Sequence, residues 1–83
     1  MKINLKLFVS LKPYLPAGAK GNEIEIEVGE SDSPNQILQR LNVPMKLTHL
    51  WLLNGNYIEP EHRDDAILSD GDTLAVWPPV AGG

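Results

Sequence analysis

Two stretches of alternating apolar and polar residues limit the folds open to this chain. They cover residues 2–9 and 23–28. A side-chain period of two is typical of a β-strand with one buried face. The positions predicted to face the core are Ile3, Leu5, Leu7 and Val9 in the first stretch and Ile24, Ile26 and Val28 in the second. Residues 12–22 carry two prolines and two glycines and are predicted to be the loop of a long hairpin.

One helix is predicted after the hairpin. Ser33 can cap its start, Pro34 suits the first helical position, and Gln36 can complete a capping box. Pro44 prevents the helix from continuing further. The apolar positions at helical spacing are Ile37, Leu38 and Leu41. The helix is short, about two to three turns, so we expect it to depend on the sheet for stability.

The rest of the chain predicts three more strands. Residues 50–53 are apolar throughout and precede an Asn-Gly turn, and we expect Trp51 to be a core residue. Residues 57–58 continue as a short strand, and residues 59–66 are polar and irregular. Residues 73–77 form the final strand. This order predicts one α+β domain over residues 1–77, with the helix on one face of the sheet and a flexible tail over residues 78–83.

Two aromatic residues occupy the polar sides of their strands. If the first and last strands are adjacent at the centre of the sheet, Phe8 and Trp77 lie on the same uncovered face. Contiguous exposed apolar patches on small domains often mark interfaces. We therefore predict a docking surface there, although cover by a loop or a second copy of the chain remains the alternative.

Composition excludes several classes of function. The net charge of −4 disfavours a nucleic-acid partner. No apolar run approaches the ~20 residues that span a bilayer, and no secretory signal is evident. With no cysteine as well, we expect a cytoplasmic protein. His49 and His62 have no second histidine or cysteine nearby in the sequence, so no metal site is predicted. No phosphate-binding glycine loop occurs, so no bound cofactor is expected.

The C-terminal stretch Trp77-Pro78-Pro79-Val80-Ala81-Gly82-Gly83 has no catalytic side chain. The proline pair favours a semi-rigid extended stub, and glycines allow other backbones or a nucleotide to approach closely. A carboxylate becomes a good electrophile only when activated, for instance as a mixed anhydride with AMP. The pattern therefore predicts that the reacting group is the terminal carboxylate of Gly83. A plain disordered end is the alternative.

Residues 68–83 resemble the end of the small subunit of molybdopterin synthase, a family of ubiquitin-like β-grasp sulfur carriers. The resemblance covers the whole chain in strand order and implies a mixed sheet of four to five strands with one main helix. It further implies that a ubiquitin-activating-like adenylyltransferase uses ATP to adenylate Gly83. A sulfur donor protein then forms the thiocarboxylate, and the tail enters the large subunit of molybdopterin synthase. That subunit would supply the catalytic side chains, so this chain would be a co-substrate and not an enzyme.

The same resemblance implies roles for individual residues. Gly83 would carry the sulfur, with Gly82 as its spacer. The remaining tail residues are Pro78, Pro79, Val80 and Ala81. Phe8, Tyr57 and Trp77 would contact the large subunit, although Trp77 stands where a phenylalanine or an aliphatic residue is commoner.

Alternative functions stay open from the sequence. Within the same class, the chain could serve thiamine synthesis or another thiolation pathway, or could modify proteins. From another class, it could be a β-grasp interaction module whose tail is inert.

Overall fold

Five strands and one α-helix make up the domain in the computed structural model, which describes residues 1–79. In chain order they are β1 (Lys2–Leu7), β2 (Glu23–Glu27), α1 (Pro34–Arg40), β3 (Leu50–Leu53), β4 (Asn56–Tyr57) and β5 (Thr73–Trp77). Short 3-10 helices occupy parts of the connections, at Val9–Tyr14, Met45–Leu47 and Pro60–His62. The strands are arranged in the order β2-β1-β5-β3-β4. The predicted α+β fold, a ubiquitin-like β-grasp with a mixed sheet and one main helix, is confirmed.

The two terminal strands are neighbours at the centre of the sheet, as predicted. β1 and β5 are parallel, with Leu5 opposite Leu74, whereas the other strand pairs are antiparallel. Leu5 also pairs with Ile24 of β2, which confirms the predicted hairpin. Ile37 and Leu38 of α1 belong to the same buried cluster as Leu5 and Leu74, so the helix packs on this face of the sheet. Within residues 1–79, no α-helix covers the opposite face.

Both ends of α1 are fixed by specific hydrogen bonds. The predicted capping box is present: the Gln36 backbone N–H donates to Ser33 Oγ at 3.2 Å, and the Ser33 N–H donates to Gln36 Oε1 at 2.9 Å. At the other end Asn42 has φ of 63°, and the Val43 N–H donates to the Leu38 carbonyl. A left-handed asparagine with this hydrogen bond is a common helix terminator. The helix therefore ends at Arg40.

The predicted core position of Val9 is wrong. β1 ends at Leu7, and Val9 has φ of 54° and is 73% exposed. The backbone leaves the sheet here, so the alternation stops and Leu11, two residues later, enters the core. The 3-10 helix Val9–Tyr14 also replaces the first part of the predicted loop at residues 12–22.

Trp51 is a core residue, as predicted. Its side chain is 0% exposed and its strand position is opposite Val76, another core residue. The Arg63 guanidinium lies over the indole, 4.8 Å from the ring centroid. Arg63 also donates hydrogen bonds to the carbonyls of Ile58 and His49. Arg63 therefore links the polar segment after β4 to the core.

Across residues 1–79, none of the helices has the length and apolarity needed to cross a bilayer.

Candidate functional site

Phe8 and Trp77 form a stacked pair on the uncovered face of the sheet. Their ring centroids are 4.1 Å apart, and their planes differ by 3°. The parallel register explains the pair, because Leu7 lies opposite Val76 and the next residue on each strand turns to the other face. The Phe8 N–H donates to the Val76 carbonyl, which continues the ladder to this point. The predicted common face of these two residues is confirmed.

The apolar surface continues across β3 and β4. Leu50 is opposite Trp77, and Leu52 pairs with Tyr57, so these side chains share the face of the stacked pair. Both leucines are half-buried, whereas Tyr57 is 54% exposed. We call this surface the aromatic face, defined by Phe8, Leu50, Leu52, Tyr57 and Trp77. It brings together the three residues that the sequence predicted as partner contacts.

A groove of about 470 Å³ lies where the tail leaves the domain. Its walls include Val9, His49, Trp77 and Pro79. The His49 N–H donates to the Trp77 carbonyl at 2.8 Å, so strand pairing persists up to the first proline. Among the described residues that line the groove, none is a lysine, an arginine or a carboxylate. The groove therefore extends the aromatic face to the root of the tail.

The other half of the uncovered face is charged. The cross-strand register places Lys2 opposite Glu27 and Lys6 opposite Glu23. Lys2 Nζ is 3.8 Å from Glu25 Oε1, and both side chains are well exposed. These carboxylates form a solvated row, as predicted, and stand apart from the tail. The face is thus divided into a charged half along β1 and β2 and an apolar half that includes the tail root.

Sequence reasoning missed a second cluster of polar groups. Ligand atoms of Glu59, Glu61 and His62 all lie within 4.8 Å of one another, and all three residues are exposed. A hydrogen bond between the two carboxyl groups raises the pKa of Glu59 and lowers the pKa of Glu61. His62 Nδ1 is 3.3 Å from Asp65 Oδ1. The Glu-x-Glu-His spacing around Pro60 was the available signal. Exposed clusters of this kind are common on protein surfaces without a metal ion, so this one does not displace the aromatic face as the candidate site.

The tail itself is described only through its two prolines. Pro78 is half-buried beside the groove and Pro79 is exposed. The residues predicted to deliver the reacting group lie outside the described residues, and their roles remain predictions. They are Val80, Ala81, Gly82 and Gly83.

Several solved structures share this fold. The solution structure of the Haloferax volcanii HVO 2177 protein matches with a TM-score of 0.77 at 24% identity, over 100% of this chain and 87% of that chain. The crystal structure of SAMP1 from Haloferax volcanii matches with a TM-score of 0.70 at 22% identity, over 100% of both chains. A chain in the complex of subunits 1 and 2 of molybdopterin-converting factor from Helicobacter pylori 26695 matches with a TM-score of 0.62 at 22% identity, again over 100% of both chains. At these identities the likeness shows the fold.

Sequence comparison gives the family. No curated protein is significantly similar to the chain. The model of the ThiS family, however, matches residues 14–83, which is well over half of the sequence and includes the Gly-Gly end. Together with the β-grasp fold and the uncovered aromatic face at the root of the tail, this match shows that the chain belongs to the ThiS family of ubiquitin-like sulfur carriers.

Proposed function

We propose that this chain is the small subunit of molybdopterin synthase and carries sulfur as a thiocarboxylate on Gly83. The observation that carries the proposal is the continuity between the aromatic face and a tail that ends in Gly-Gly. The Helicobacter pylori relative, whose structure is a complex of two subunits of molybdopterin-converting factor, supports a partner subunit for this chain.

The chemistry of the aromatic face defines what the chain can contribute. Tyr57 is its one titratable residue, and among the described residues that line the adjacent groove His49 has the one titratable side chain. Such a surface can bind a partner but cannot activate a carboxylate. Activation is therefore assigned to a ubiquitin-activating-like adenylyltransferase, where a Gly83 oxygen attacks the α-phosphorus of ATP and pyrophosphate leaves. The terminal sulfur of a persulfide on the sulfur donor protein would then attack the Gly83 carbonyl carbon and displace AMP. A thiol would reduce the resulting acyl disulfide, which leaves the thiocarboxylate on Gly83 and a disulfide on the donor side.

The tail is long enough to present Gly83 to an active site in another protein. Residues 78–83 span roughly 20 Å when extended at about 3.3 Å per residue. The two prolines limit the directions in which the tail can leave the sheet. Docking through the aromatic face would therefore aim the Gly83 carboxyl group at a site inside the partner. The catalytic side chains for dithiolene formation would belong to that large subunit.

The modification of Gly83 provides the direct test. Incubation of the purified chain with the adenylyltransferase of its own organism, ATP and a sulfur donor should add the mass of one oxygen-to-sulfur exchange. Fragmentation in the mass spectrometer should place the change on Gly83. A reaction without ATP is the control and should give no change. An unmodified terminus in the complete reaction would contradict the proposal.

The aromatic face has a separate test in Trp77→Ala. We expect the affinity for the large subunit to fall by about 2 kcal/mol or more, which is roughly a 30-fold increase in Kd, because buried aromatic anchors carry effects of this size. Titration calorimetry would measure it. Trp77→Phe keeps an aromatic ring against Phe8, and its loss of affinity for the large subunit should be much smaller. Glu25→Ala, in the charged half of the same face, should change this affinity little. Equal affinity of Trp77→Ala and wild type would place docking elsewhere.

A protein modifier is the second candidate function. The comparison with SAMP1, described in a related structure as small archaeal modifier protein 1, favours this alternative. The two functions predict different products of the activated terminus. A modifier would form an amide between Gly83 and a lysine of another protein, whereas a sulfur carrier would be recovered unconjugated, with a thiocarboxylate on Gly83. Mass spectrometry of the chain isolated from its native host separates these products. A carrier for thiamine or another thiolation pathway would instead be identified by the enzyme that consumes its sulfur. A chain that carries neither modification would be an inert interaction module.

A further inference from the structure

Val9 has a backbone conformation that suits its residue type poorly. Its φ of 54° lies in the left-handed region, where a β-branched side chain is a clear outlier. Among residues 1–79, the other two non-glycine residues with positive φ are Asn42 and Asn54. Asparagine is the type that tolerates this region best. Asn54 also uses its side chain locally, since its Oδ1 accepts from the Thr73 N–H and its Nδ2 donates to Asp72. Valine offers no such hydrogen bond.

Packing within the domain does not explain why position 9 is a valine. Its side chain is 73% exposed, and Leu11 fills the core after the turn. Strained residues of this kind usually persist because the surrounding structure fixes them, and they concentrate at functional sites. Asparagine or glycine at position 9 would make the same turn with less strain. The domain therefore keeps an exposed isopropyl group at some expense of its own stability.

The position of Val9 indicates what this group contacts. Val9 lines the groove together with Trp77, Pro78 and Pro79. The four residues after Pro79 can reach at most about 14 Å at 3.3–3.6 Å per residue. A protein that holds the Gly83 carboxyl group in its own site must therefore approach within this distance of Pro79. Pro79 itself lines the groove, so the groove is within reach of such a protein, and an apolar group suits it because none of its described lining residues is a lysine, an arginine or a carboxylate.

We propose that Val9 is a docking residue, held in a left-handed conformation so that it and Trp77 enclose an apolar side chain of the protein that receives the C-terminus. The inference rests on the proposed function, because it assumes that a partner takes the tail. It adds a specific contact beyond the aromatic face. It also requires that the change of residue 9 to asparagine act in opposite directions on stability and on binding.

The test compares Val9→Asn with wild type in two measurements. Asparagine relieves the strain and removes the apolar group. We expect the Tm of the isolated chain to rise by about 4 °C or more, because relief of about 1 kcal/mol has this effect in a domain of this size. We expect the Kd for the large subunit of molybdopterin synthase from the same organism to increase about tenfold or more. Val9→Gly should behave in the same way, with a smaller rise in Tm because glycine loses more backbone entropy on folding.

Ile67→Asn is the matched control. Ile67 is also β-branched and is 85% exposed, but it lies outside the groove and does not have positive φ. This variant should leave the Kd unchanged and should not raise the Tm.

The possible results distinguish failure of the docking role of Val9 from failure of the proposed function. A raised Tm with an unchanged Kd would overturn the role of Val9 in docking and leave the proposed function intact. A lowered Tm for both Val9 variants would show that valine serves the fold, which also overturns the inference. Absence of binding by the wild-type chain would overturn the proposed function and the docking role together, and the Tm measurement would then report on the strain alone.

Discussion

Deletion of Gly83 is expected to reduce sulfur delivery by more than about 100-fold without changing the stability of the domain. The variant still ends in a glycine carboxylate, at Gly82, but that group is withdrawn by about 3.5 Å. Displacement of a reacting group by 1 Å can already reduce a rate about 100-fold. The domain itself should be unaffected, because the last core residue in the described part of the chain is Val76. A thiocarboxylate assay by mass spectrometry and a thermal melt would measure the two effects.

Gly83→Ala is the matched control for this deletion. It keeps the chain length and the free carboxylate and adds only a Cβ beside the reacting carbon. We expect a partial loss, smaller than that of the deletion, if position matters more than residue type. Full activity of the deletion variant would mean that the terminal carboxylate is not the group that reacts.

Trp51→Ala is expected to lower the free energy of unfolding by about 3–5 kcal/mol, the range seen when a buried aromatic side chain is removed from a core. Trp51 is 0% exposed at the centre of the core face of β3, and a void there would also remove the surface on which Arg63 lies. Because stabilities of domains are about 5–15 kcal/mol and a chain of this size belongs near the lower end, the variant should be barely folded at room temperature. Urea denaturation would measure the change.

Two variants sharpen this second prediction. Trp51→Phe keeps a ring beneath Arg63 and removes the indole Nε1, which is buried without a hydrogen-bond partner in the part of the chain that the structure describes. It should lose less than half as much stability as Trp51→Ala. Trp77→Ala should also lose less, because Trp77 is only half-buried. A loss below about 1 kcal/mol for Trp51→Ala would contradict the assignment of this residue to the core.

The sequence predicted the elements that local pattern determines. The bounds of β5 follow from the apolar run between an Asp-Gly-Asp turn and a proline pair, and the start of α1 follows from Ser33 and Gln36. The pairing of Phe8 with Trp77 could be predicted once the two terminal strands were placed side by side. In each case the prediction needed only residues that are neighbours in the sequence, or one assumption about strand order.

The remaining features depend on contacts between distant residues. Alternation predicted that Val9 faces the core, because a period of two cannot show where the backbone leaves a sheet. Leu50 and Leu52 belong to a run that is apolar throughout, so the pattern could not assign them to the aromatic face. The cluster at Glu59, Glu61 and His62 depends on a 3-10 turn that brings three polar side chains together. Each of these required the register or the turn geometry to be known.

Because β5 is a central strand and directly precedes the tail, the C-terminus becomes available only on a chain whose sheet includes β5. β1 and β5 are far apart in the sequence, yet they pair at the centre of the sheet, with Leu5 opposite Leu74. Without β5, the sheet therefore lacks a central strand and Phe8 has no ring to stack against. A chain truncated before β5 lacks both the C-terminal glycines and the Trp77 half of the stacked pair. Under the proposed function, this topology would restrict activation of the C-terminus to chains in which β5 has joined the sheet.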